Sequence, residues 1–72
     1  MNYSQACYKV ECLAKQYGYK ATSIEFHNLR SGKGRYVARA KNSQGIPVLL
    51  AFSSSYKNMA TETEEYLRTV NN

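Results

Sequence analysis

Two periodicities divide this chain. Between residues 3 and 17, apolar side chains fall at Tyr3, Ala6, Val10, Leu13, Ala14 and Tyr17, close to the 3.6-residue repeat of a helix. Ser4, Tyr8, Glu11, Cys12 and Lys15 fall on the other side. Gly18 follows, the residue that most easily takes the left-handed conformation closing a helix. From residue 24 the repeat drops to two. Ile24 and Phe26 alternate with Glu25 and His27, and after the glycine-rich stretch Ser31-Gly32-Lys33-Gly34, Tyr36, Ala38 and Ala40 alternate with Val37, Arg39 and Lys41. These are two strands of a hairpin. Pairing them symmetrically about Gly32 sets Phe26 beside Ala38 and Glu25 beside Arg39, apolar with apolar and acid with base.

Asn42-Ser43-Gln44-Gly45 has the chemistry of a three-residue hairpin loop, with Asn opening it and Gly taking positive φ. That loop pairs Asn42 with Ile46, and by extension Ala40 with Val48, Ala38 with Leu50 and Tyr36 with Phe52. The inner face is then Ile24, Phe26, Tyr36, Ala38, Ala40, Val48, Leu50 and Phe52. Pro47 marks the third strand as an edge, where a missing N–H does no harm. Ser53, Ser54 and Ser55 offer N-caps for a second helix over 56–70. Its inward side would be Tyr56, Met59, Thr63, Tyr66, Leu67 and Val70, with Glu62, Glu64 and Glu65 outside and Glu64 spaced to meet Arg68. The expectation is an α+β fold of order α-β-β-β-α: one small domain over 1–72, with a three-stranded antiparallel sheet and both helices on one face. Glu25, His27, Val37, Arg39, Lys41 and Leu49 would line the uncovered face.

Charge changes this picture more than composition does. Residues 20–41 hold six of the ten basic side chains (Lys20, Arg30, Lys33, Arg35, Arg39 and Lys41) and one acid, Glu25, for a net +5. The other fifty residues carry four basic and four acidic side chains and balance. An acidic partner would therefore land on the first hairpin. No apolar run reaches membrane-spanning length. The N-terminal stretch is periodic and polar, unlike a secretion signal, so a cytoplasmic protein is expected. Cys7 and Cys12, five residues apart on a helix, cannot pair with each other there; Cys7 should edge the buried stripe and Cys12 should lie outside it.

Catalytic patterns are weak, and no enzyme is expected. The single histidine, His27, and Cys12 fall on different elements. The glutamates of the second helix read as a solvated face. Cys7, Cys12 and His27 match no zinc spacing, and Ser31-Gly32-Lys33-Gly34 lacks the upstream glycine and following hydroxyl of a phosphate loop. Neither a metal nor a cofactor is expected. Tyrosines interleaved with cations are the better lead, as in Lys15-Gln16-Tyr17-Gly18-Tyr19-Lys20 and Arg35-Tyr36; Tyr8 and Tyr19 are the freer rings.

The element order, with Gly18, Gly32 and Ser55-Tyr56-Lys57, resembles the double-stranded-RNA-binding domain over nearly the whole chain. In that family the corresponding second helix opens with a basic cluster, of which Lys57 is the matching residue. Gly34-Arg35-Tyr36-Val37-Ala38-Arg39, with Gly45 and Phe52, also resembles the three-stranded-sheet DNA-binding domains of integrase amino termini and plant ethylene-response factors. That resemblance implies an open sheet face, here His27, Val37, Arg39 and Lys41, laid in a major groove.

The resulting expectation is a non-catalytic module that binds double-stranded nucleic acid, DNA or RNA, as a monomer or weak dimer. Arg30, Lys33 and Arg35 would contact phosphates beside Arg39 and Lys41, with Lys20 and Lys57 as further cations and His27 and Arg39 as base-edge contacts. The rival is a phage- or plasmid-type small inhibitor or adaptor whose basic hairpin docks on an acidic host protein surface.

Overall fold

The computed structural model describes residues 1–28, 30, 32 and 34–71. Five elements follow in order: α1 (Tyr3–Gln16), β1 (Lys20–Asn28), β2 (Gly34–Lys41), β3 (Pro47–Ser53) and α2 (Tyr56–Val70). The fold is α-β-β-β-α, a small α+β domain with an antiparallel sheet ordered β1-β2-β3. Both helices pack on one face of that sheet, with α2 over β3 and β2 and α1 beside α2 toward β1. No helix among the described residues is long and apolar enough to cross a membrane.

Each helix begins and ends for identifiable reasons. Asn2 caps α1 by accepting from the Gln5 N–H at 2.8 Å, and Gln5 returns the bond to the Asn2 N–H at 2.9 Å. At the other end Gly18 takes φ +85. The Tyr19 N–H then donates back to the Ala14 carbonyl at 2.8 Å and the Gly18 N–H to Lys15 at 3.0 Å, satisfying two orphan carbonyls. Ser55 caps α2 through the Asn58 N–H at 3.1 Å. Ala6, Val10 and Ala14 of α1 meet Met59, Ala60 and Leu67 of α2 and Ala38, Ala40, Leu50 and Ala51 of the sheet in one core. Alanines at the contacts let the helices approach closely. Tyr19, expected to be free, packs against this core, whereas Tyr8 stays exposed. Val70, expected inside, is exposed.

Strand registers depart from the expected ones in two places. In the first hairpin Phe26 pairs with Tyr36 and Ile24 with Ala38, two residues from the symmetric arrangement. Asn28 sits opposite Gly34, and the Phe26 ring lies over the bare glycine, occupying the space a Cβ would need. The Tyr36 ring lies tilted 4.9 Å from Phe26, 5.7 Å from Tyr3 and 6.0 Å from Tyr56, and Phe26, expected on the inner face, stays exposed at that end. A two-residue slip leaves every side chain on its expected face. The second departure does not. The Asn42 loop forms as expected, with the Gly45 N–H on the Asn42 carbonyl and Gly45 at φ +80, and Ala40 pairs with Val48. Past Arg39–Leu49, however, a β-bulge inserts Leu50, so Ala38 pairs with Ala51, Val37 with Phe52 and Tyr36 with Ser53. Leu50 and Ala51 both enter the core, and Phe52 turns to the uncovered face. The expected inner position of Phe52 is therefore corrected.

Candidate nucleic-acid interface

Directly opposed residues of an antiparallel pair project to the same side, so the registers define the open face. Lys20 faces Lys41, Ser23 faces Arg39, Glu25 faces Val37 and His27 faces Arg35. From β3, Pro47, Leu49 and Phe52 lie opposite Lys41, Arg39 and Val37. The surface is thus striped: mixed polar groups on β1, cations along β2 and an apolar strip on β3. Val37, in the middle, is 2% exposed although no helix covers it, and it stands apart from the helix-side core.

Among the described residues, Glu25 is the carboxylate set among these cations. Its Oε2 accepts from His27 Nε2 at 2.7 Å and lies 3.5 Å from Arg39 Nη1. The hydrogen bond from His27, and then the Arg39 guanidinium, hold its carboxyl below the usual carboxylate range. Arg39 thereby keeps an exposed but shared charge. Arg35 donates to the Gly34 carbonyl at 3.0 Å and forms no ion pair among the described residues. Lys20 and Lys41 are like charges directly opposed across two strands, an arrangement that disfavours pairing unless an anion lies near. Neither forms an ion pair among the described residues, and both are exposed. The acids of α2 are engaged on the helix side: Glu64 meets Lys9 at 3.8 Å and Arg68 at 3.9 Å. Glu62 and Glu65 line a shallow groove between α2 and β3.

Five of the expected residues share the open face: Lys20, His27, Arg35, Arg39 and Lys41. Arg30 is exposed in the β1–β2 turn, and Lys33 lies outside the described residues. Lys57 is exposed on the first turn of α2, on the helix side of the sheet, and is not brought together with the others. Cys12 and His27 lie on opposite sides of the sheet. Among the described residues no three His, Cys, Asp or Glu side chains cluster to hold a metal. Phe52 was expected inside by extending the Asn42–Ile46 register unbroken to Tyr36; the apolar run Val48-Leu49-Leu50-Ala51-Phe52 carries no alternation that would have signalled the bulge. Comparison with known proteins gives no match, whether to a family model, a curated protein or a solved structure. The functional reading rests on this surface alone.

Proposed function

We propose that the protein is a non-catalytic nucleic-acid-binding module that holds a duplex against the open sheet face and the β1–β2 loop. The observation that carries this reading is the run of cations along β2, of which only Arg39 shares a carboxylate among the described residues, ending in the opposed Lys20–Lys41 pair. A polyphosphate backbone supplies the closely spaced anions that such a stripe lacks, and binding releases the counterions condensed on it. Lys20, Arg35 and Lys41 take phosphates, and Arg30 extends the contact along the loop. Arg39 and His27, oriented by Glu25, are the groups placed for base edges. Lys57 serves a ligand only where it wraps around the β1–β2 end. The open face carries more cations than the start of α2, where Lys57 is alone, so the sheet is the better footprint.

Salt-titrated binding to a labelled duplex tests this. Log affinity should fall against log salt with a slope of about −3 to −5, given about −0.9 per phosphate neutralised. An Arg35→Ala/Arg39→Ala/Lys41→Ala variant should lose most of both the affinity and the slope. A flat salt response, or unchanged binding in that variant, contradicts the proposal. The exposed Leu49–Phe52 strip beside the cations favours one second reading, a protein partner with an acidic surface. Retention of such a protein with no duplex shift at moderate salt would select it.

A further inference from the structure

The bulge that admits Leu50 and Ala51 together to the core also sets the side on which Phe52 lies. Without it, Phe52 would face the helices opposite Tyr36; with it, Phe52 is 49% exposed and a seryl side chain, Ser53, takes the buried place. Bulges commonly re-aim a side chain toward a binding surface. Here the re-aimed ring lies next to Leu49, itself 50% exposed, and opposite the buried Val37, with Arg39 one strand away. Neighbouring strands lie about 4.8 Å apart. One nucleotide can therefore place its phosphate on the β2 cations and its base over β3. Glu62 and Glu65, in the groove beyond Leu49 and Phe52, repel phosphate from that side. They keep the charged backbone on β2 and leave the β3 strip to a neutral, flat group.

We infer that Phe52, flanked by Leu49, is a stacking site for an unpaired base of a nucleic acid whose phosphates Arg35 and Lys41 hold. This inference rests on the nucleic-acid reading above and names the ligand more closely: a duplex with a bulged or readily unstacked base. A fully stacked duplex offers an exposed phenyl ring no π-face. An unpaired base does, and base–aromatic stacking is strong enough to decide between the two, at about five- to 150-fold in affinity by its usual magnitude. The ring is not tied to one base, since each has a π-face, so little sequence preference is expected at this position.

The experiment compares three labelled probes by anisotropy at moderate salt: a paired duplex, the same duplex with one bulged thymine, and oligothymidine. Wild type should bind the bulged duplex about tenfold or more tightly than the paired one. Phe52→Ala should bring the two within about twofold while leaving the paired duplex bound as before, and Phe52→Tyr should keep the preference. A 2-aminopurine at the bulge should be quenched by wild type and Phe52→Tyr and not by Phe52→Ala. Equal affinity of wild type for bulged and paired duplexes, or a preference that survives Phe52→Ala, overturns the stacking site and leaves the duplex reading standing. Failure of all three probes to bind overturns both.

Discussion

Glu25→Gln is the substitution that most sharply separates a ligand-binding face from a merely charged one. Glutamine keeps the shape and one hydrogen-bond acceptor for His27 and removes only the charge. Because the carboxylate is half exposed at the surface, water and salt screen its contribution to folding, and the substitution should leave the domain folded. The effect falls on the ligand. Lys20, Arg35, Arg39 and Lys41 against Glu25 give the open face a formal net charge of +3, which the variant raises to +4. One additional effective phosphate neutralisation steepens the salt slope by about 0.9 and, at 0.1 M salt, multiplies affinity by about eightfold. Anisotropy with a short duplex, repeated across a salt series, reads both quantities. Arg39→Gln should move them the opposite way. Unchanged or weaker binding by Glu25→Gln, with an unchanged slope and an intact circular dichroism spectrum, would refute the reasoning, because the added positive charge would then have no polyanion to meet.

Two further outcomes concern the fold and its acid response. Leu67 is wholly buried between the helices and the sheet, so Leu67→Ala should cost about 2–5 kcal/mol, a large part of the roughly 4–11 kcal/mol that a 72-residue domain commands. A urea midpoint that does not fall would contradict the assigned core. The depressed titration of Glu25 gives a pH dependence of fixed sign. Its bridge to His27 and Arg39 contributes above the ordinary carboxylate range and is lost as pH falls through the depressed value. The small difference in urea midpoint between wild type and Glu25→Gln should therefore be present at neutral pH and vanish on acidification.

Much of this arrangement is legible in the chain, and the exceptions share a cause. The 3.6 and 2.0 periodicities, the Gly18 stop, the Asn42–Gly45 loop and the Ser55 cap each correspond to a local backbone requirement, and each appears where the residues place it. The face occupied by Arg35, Arg39 and Lys41 follows from alternation, since polar and apolar residues differ clearly along β2. Register is less local. Glu25 and Arg39 still meet after the two-residue slip, as diagonal rather than opposed neighbours, because the slip preserved the face. In β3 every residue from Val48 to Phe52 is apolar, so composition cannot say which ones face the helices. Packing decides instead: the Leu50–Ala51 pair fits beneath α2, and the bulge that admits it turns Phe52 outward. The positive φ of Ala21, at the irregular start of β1, is equally invisible to alternation.

The measurement that bears most directly on the whole account is a map of amide chemical-shift changes as a short duplex is added to the isotope-labelled protein. The account predicts that the changes concentrate on Lys20, Glu25, His27, Arg35, Arg39 and Lys41, with the outward residues of α1 and α2 unmoved. Changes centred on Lys9, Lys15 and Lys57, or none at all at moderate salt, would contradict it.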